Sequence, residues 1–322
     1  MEVGGVDVDV VVVGAGVVGL TTALRLVDAG ARVRVLTADD PADTVSAVAA
    51  AVWYPTHVAG DPRVLAWGAE TYAELTRQAA AGVPGVAPRP TRMLVRHEVR
   101  AAPWWSAAVA DFRRLPPPTS EYTEEWRFTV PSVHMGRYLD WLRDTLASRG
   151  MVLERRRVSR LAAVDAPVVV NATGLAARDL AGDPDVYPAR GRVVLVRNPG
   201  LDTSVRDEDH PEGMMYAHPR GDDVVLGGTF EDGERDTRPD PRAAAGILAR
   251  CASVVPELAG ATVLAHRTGL RPVRRGGPRV AADPAPLSGG GRLLHNYGHG
   301  GAGVTLSWGC ADAITAMITA SS

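Results

Sequence analysis

The chain has 322 residues, enough for one large domain or two ordinary ones, and its 46% hydrophobic content can fill a substantial core. A net charge of −2 provides no basic field, so nucleic acid is not an expected partner. All 35 cationic side chains are arginine, which excludes Schiff-base and lysine-nucleophile chemistry.

The apolar N-terminus carries glycines and aspartates but no cationic leader, and so reads as a strand rather than a signal peptide. No apolar run approaches the ~20 residues that span a bilayer, so a soluble, cytoplasmic chain with no membrane partner is expected. Val8 to Val13 is an almost continuous β-branched run, as in a strand buried on both faces of a parallel sheet. It enters Gly14-Ala15-Gly16-Val17-Val18-Gly19, a GxGxxG pattern. Leu20, Ala23, Leu24 and Leu26 then recur at helical spacing up to Gly30, and ARVRVL makes a second strand. In this strand–motif–helix–strand context the pattern points to a dinucleotide. Gly14 allows the tight turn, Gly16 admits a pyrophosphate to the backbone, and Gly19 lets helix and sheet pack closely. The second strand ends near Ala38, before Asp39 and Asp40, with no Glu at the usual ribose position.

In residues 41–55, Thr44 and Ser46 suit either phosphate contacts or helix capping. Periodicity predicts helices over 64–79 and 136–150, the latter with a core stripe of Tyr138, Leu139, Trp141, Leu142 and Leu146. The proline-rich stretch 83–120 reads as irregular or edge strand. Val168–Val170 is a short strand ending in Asn171-Ala172-Thr173-Gly174, which brings Thr173 to the cofactor end of a parallel sheet. Residues 192–198 and 222–230 are strong β runs. Within RTGLRPVRRGG, Arg271 lies between apolar neighbours and is a candidate carboxylate clamp. Cys251 and Cys310 fit no metal or redox spacing and read as buried free thiols. The histidines offer no metal-ligand spacing. Near the C-terminus, Gly298, Gly300, Gly301 and Gly303 fall within six residues. That density suits a flat, charged group against the backbone.

These segments, in this order, closely resemble the D-amino-acid oxidase family, whose relatives include D-aspartate oxidase. The resemblance runs from about residue 7 to 315 through GAGVVGLTTAL, VAAAVWYP, NATG, MYAHPR, VVLGGTF, RTGLRPVR and HNYGHGGAGVTLSWG. It implies α/β plus α+β architecture, with a Rossmann-like FAD-binding domain and a sheet-rich substrate-binding domain. The expected division is 1–60, 136–190 and 265–322 for the discontinuous FAD-binding domain, and 61–135 and 191–264 for the other. The resemblance implies non-covalent FAD held by Gly14, Ala15, Gly16, Val17, Val18, Gly19, Thr44, Val45, Ser46, Ala50, Ala51, Val52, Val158, Thr173, Arg271, Gly300, Gly301, Gly303, Val304 and Thr305. It also implies that Arg271 holds the substrate carboxylate, Tyr216 assists it, and the Gly301 carbonyl accepts from the substrate amine.

Three departures bear on specificity. Glu212 stands where animal relatives carry a lid tyrosine, Tyr54 where many have a polar amide, and Ala302 where an aromatic is common. Tyr54 would partly refill the site, while Glu212 and Ala302 would make it roomier and acidic. Neutral or basic side chains are therefore expected, and D-aspartate has no evident second cationic partner. The reaction implied is oxidative deamination to a 2-oxo acid, ammonia and hydrogen peroxide, with hydride transfer from Cα to flavin N5. Its partners are a D-amino acid and O2; a homodimer is left open. The alternatives are a related flavin oxidase for glycine, sarcosine or D-aspartate, a flavin-free NAD dehydrogenase, and a dinucleotide-binding module without activity. The final residues, TASS, do not read as a peroxisomal address.

Overall fold

The structure, a computed structural model, describes residues 9–55 and 61–320. Val8 and the expected boundary at residue 60 lie outside those residues. Two sheets organise the fold, one six-stranded and one nine-stranded. The first runs Arg279–Ala282, Arg292–Tyr297, Val168–Asn171, Asp9–Val13, Arg32–Thr37, Val152–Arg155. Its last five strands are mutually parallel, and Arg279–Ala282 is antiparallel at the edge. Val10 to Val13 and Val168 to Val170 are buried, which is why their sequence is β-branched without alternation.

The helix Val17–Asp28 packs against Gly303–Thr319, which in turn crosses Pro62–Ala80. That second crossing is close because Gly309 lacks a side chain: a Cβ there would lie 2.4 Å from the Trp67 backbone. Trp308 Nε1 donates to the Tyr138 hydroxyl at 2.9 Å, and that hydroxyl donates to Gln78 Oε1 at 2.8 Å. The polar ends of the buried aromatics are thereby satisfied. The expected stripe of helix Met135–Ser148 is buried at Tyr138, Leu139, Leu142 and Leu146, with Trp141 half-buried. Each such large apolar side chain contributes about 1.5–3 kcal/mol by burial.

The second sheet differs from expectation in two respects. Residues 186–190 and 265–274, expected with the first domain, belong to it. Val186–Arg197 and Val263–Arg274 form one antiparallel ladder, from Val263 opposite Val196 to Arg274 opposite Val186, with a register shift between Val263 and Ala265. A boundary at 190 would cut through these hydrogen bonds. The stretch 83–120 is not merely irregular or edge either. Val86–Val95 pairs with Glu124–Val133 on one side and, over Thr91–Met93, with Ser204–Arg206 on the other. Pro88 and Pro90 precede that second pairing, so their missing N–H groups break no ladder there.

Candidate active site

A cavity of about 480 Å³ runs from the carboxyl ends of the parallel strands to one face of the second sheet. Its two ends are built differently. At the parallel-sheet end the wall is largely backbone. Gly14 has φ +114°, and a Cβ on it would lie 2.3 Å from the Ala172 carbonyl oxygen. A Cβ on Gly19 would lie 1.9 Å from the Gly14 carbonyl oxygen, so this glycine serves helix–turn packing. Gly16 caps the first helix with no side-chain bond and no acid in the first turn. Its amides are open to an anion, except that Ser46 Oγ accepts from Val17 N at 3.0 Å. The Thr44 hydroxyl donates to Pro41 O at 2.7 Å and the Thr173 hydroxyl to Asn171 Oδ1 at 2.7 Å. Both are locally satisfied as donors.

At the other end the wall is made of side chains that the sheet has cleared space for. Tyr216 stands opposite Arg206 on one neighbouring strand and Gly227 on the other. A Cβ at Gly227 would lie 2.0 Å from the Tyr216 ring, and one at Gly191 would lie 2.3 Å from the Arg271 guanidinium. The two glycines are therefore the space into which Tyr216 and Arg271 lean. Arg271 Nη1 donates to Thr229 O at 3.0 Å, and its guanidinium faces the Phe230 ring at 5.1 Å. Among the described residues no Asp or Glu pairs with it. Arg206 lies 3.9 Å from the Tyr54 ring centroid and 6.0 Å from that of Tyr216. Tyr54 is fixed by Thr305, whose hydroxyl accepts from Tyr54 N at 3.1 Å and donates to Tyr54 O at 3.0 Å. His218 stacks on Tyr216 with centroids 4.8 Å apart.

Burial governs the protonation states here. It holds His218 well below the usual histidine range, helped by Arg206 and Arg220, and it lowers His299 to about 4. Burial raises Tyr216, with Arg271 and Arg206 pulling the other way, and burial with the nearby Glu208 charge raises Tyr54. At neutral pH this end of the cavity therefore presents neutral imidazoles and protonated phenols beside the guanidiniums of Arg206 and Arg271, while Arg156 and Arg157 line the cavity elsewhere.

The family model for FAD dependent oxidoreductases matches residues 9–317. A D-amino-acid oxidase from Rubrobacter xylanophilus is 47% identical over 95% of this chain and 94% of its own length. One from Streptomyces coelicolor is 43% identical, covering 95% of each. The human D-aspartate oxidase is 32% identical over 94% of this chain and 92% of its own. The chain belongs to the D-amino-acid oxidase family. It is an FAD-dependent oxidase of amino-acid substrates. The same fold occurs in glycine oxidase from Geobacillus kaustophilus, at TM-score 0.83 and 21% identity over 98% of this chain and 95% of that one. The residues present fit FAD: an uncapped helix start for its phosphates, and a place beside Gly16 where a Cβ would already lie 3.1 Å from Ser46 Oγ.

For an oxidase of this family the expected site residues converge well. Gly14 to Val18, Thr44 to Ser46, Ala50 to Val52, Tyr54, Val158, Thr173, Tyr216, Arg271, Gly300, Gly301 and Gly303 to Thr305 all line the cavity. Gly19 does not, for the packing reason above. Glu212 is exposed in the turn after His210 and does not line the cavity, so it cannot make the pocket acidic. Ala302 is fully buried in the core behind the glycine loop, so it does not enlarge the pocket. The absence of a second cation is also corrected, because Arg206 provides one. Sequence reasoning missed Arg206 and His218. His218 was reachable, since it is two residues after Tyr216 on one strand and must share its face. Among the described residues no helix is long and apolar enough to cross a membrane, and no acid–histidine–cysteine group could hold a metal.

Proposed function

We propose that the enzyme converts a D-amino acid, O2 and water into a 2-oxo acid, ammonia and hydrogen peroxide. The observation that carries this reading is Arg271, a guanidinium in the cavity wall with no carboxylate partner among the described residues, close to the Tyr216 phenol. It is a receptor for an α-carboxylate. The relatives named D-amino-acid oxidase support the same reading. FAD supplies the two-electron acceptor that O2 regenerates.

Arg271 takes the carboxylate, the Tyr216 hydroxyl donates to it, and the Gly301 carbonyl accepts from the amine. Two fixed groups and a wall then leave one enantiomer with its Cα–H directed at the cofactor end. The hydrogen leaves with its electron pair while the amine lone pair forms C=N, and water completes the 2-oxo acid and ammonia. No base is needed at Cα. The cavity accordingly offers poor ones, His218 and His299 having their pKa values depressed by burial.

We assign FAD to the parallel-sheet end, with Gly14 to Val18, Thr44 to Ser46, Ala50 to Val52, Val158, Thr173, Gly300, Gly301 and Gly303 to Thr305 around it. Asp39, at the end of the second strand, is the acid available to its ribose. The strands of the first sheet with their helices form the discontinuous FAD-binding domain in this reading, and the second sheet forms the substrate-binding one. The free buried thiols Cys251 and Cys310 suit a cytoplasmic location. Peroxide release from paired enantiomers of alanine, methionine and phenylalanine tests the reaction. D-selective turnover is expected; equal or L-selective turnover contradicts it.

A further inference from the structure

At the substrate end of the cavity Arg206 is a second guanidinium beside Arg271. Its side chain is only 7% exposed, and it lies beside Tyr216 on the adjacent strand. A lone buried arginine at that place would draw a second carboxylate into the site. It is not alone. Arg206 Nη2 donates to Glu208 Oε1 at 2.6 Å, and Glu208 Oε2 accepts from the Tyr54 hydroxyl at 3.3 Å. Both carboxylate oxygens are thus engaged. Glu208 does not line the substrate cavity. It reaches Arg206 from behind, from a neighbouring chamber of about 330 Å³ walled by Trp104, Trp105 and Trp126.

We propose that Glu208 sets the side-chain charge this enzyme accepts, by occupying Arg206 as an internal carboxylate behind the cavity wall. The inference rests on the D-amino-acid reading above. The pair presents no net charge to the substrate, so an anionic side chain finds its counter-ion already taken and a cationic one meets no free acid. The hold on Arg206 is through one nitrogen. Nε of Arg206 is buried and has no partner, so once Glu208 is neutral the guanidinium charge at the cavity wall is left without a counter-ion. Glu208 is therefore a positioning residue for specificity. It acts through Arg206 and does not touch substrate. The hydrogen bond to Tyr54 ties the same carboxylate to a residue of the cavity wall, which keeps the pair in register with the site.

The decisive comparison is D-glutamate with D-glutamine, which match in shape and differ in side-chain charge. In E208Q the ratio of kcat/KM for D-glutamate to that for D-glutamine rises by about tenfold or more over wild type, as expected for an uncompensated partner charge in a water-poor site. The gain disappears in the R206L/E208Q double variant, which a merely structural role for Glu208 would not produce. E208A, tested with its FAD absorbance intact, gives the same direction. The switch is also read without turnover, as tighter binding of succinate relative to butyrate in E208Q by calorimetry. A D-glutamate to D-glutamine ratio and a succinate to butyrate ratio that each move by less than about threefold in both E208Q and E208A overturn the inference. If the wild type oxidises no D-amino acid, the reaction assignment fails, while the succinate and butyrate titrations still decide the role of Glu208.

Discussion

The two ends of the cavity are made of different material. At the parallel-sheet end, Gly14, Gly16 and an uncapped helix present backbone, and the nearby threonine hydroxyls are bound to their own turns. At the sheet-face end, Arg271, Tyr216 and Arg206 present side chains into room left by Gly191 and Gly227. Backbone recognition is dictated by local sequence and cannot be altered without altering the fold. Side-chain recognition is assembled from strands far apart in the chain, and one residue can be changed while the scaffold stands. This division predicts that substitutions at the first end destroy the holoenzyme, whereas those at the second alter its catalysis.

The largest effect belongs to G14A. A Cβ at φ +114° and 2.3 Å from a backbone oxygen cannot be relieved by a side-chain shift, so a loss of about 3 kcal/mol or more is expected. Soluble yield and FAD content should collapse together. A yellow, active G14A enzyme would break the comparison. At the other end, G227A places its Cβ 2.0 Å from the Tyr216 ring, which must swing away. FAD absorbance should persist while kcat/KM falls by roughly 10–100-fold, because the substrate loses an orienting contact. Loss of FAD instead would show that the ends are not separable.

T305V should act more mildly. It removes the two hydroxyl bonds that hold the Tyr54 backbone and leaves that N–H and C=O buried and unpaired. A cost of about 1–3 kcal/mol, read as a melting temperature lower by about 2–8 °C, should accompany a raised KM. An unchanged KM would leave Tyr54 outside the substrate wall.

The smallest effect concerns the joint between the ends. Asp183 Oδ2 accepts from Arg274 Nε at 2.8 Å and from the Tyr297 hydroxyl at 2.8 Å, so it ties the last residues of two strands, one from each sheet. Burial pushes its pKa up, but Arg274 and Tyr297 outweigh this and hold it below 3.8. A depressed carboxylate contributes stability that is complete above its unfolded value and lost as pH falls through the folded one. The stability gap between wild type and D183N should therefore be constant at neutral pH and narrow below 3.8. A gap independent of pH down to unfolding would remove Asp183 from the acid response.

Much of this was legible in the sequence, for a physical reason that differs between the ends. GAGVVG fixes its own geometry within six residues, and the strand before it and helix after it are each periodic and local. Arg271 was visible because a charged residue between Leu270 and Pro272 breaks an apolar pattern. Arg206 was hidden because it abuts the polar run DEDHPEG, and only pairing with Thr91–Met93 on one side and Met215–Ala217 on the other makes Ser204–Asp207 a buried strand. Glu212, by contrast, drew notice through its position in a lid elsewhere in the family, yet the turn carries it into solvent. Gly191 and Gly227 left a readable trace: glycine inside a strong β run marks close approach. What approached was set by register, and register is not local.

The central claim is that Arg271 receives the substrate carboxylate. Calorimetric titration of benzoate into FAD-loaded wild type and R271A tests it without turnover. Loss of a charge-assisted, bidentate partner should weaken benzoate on the order of 10²-fold or more, with FAD content unchanged. Equal affinity for benzoate in the two proteins would contradict it.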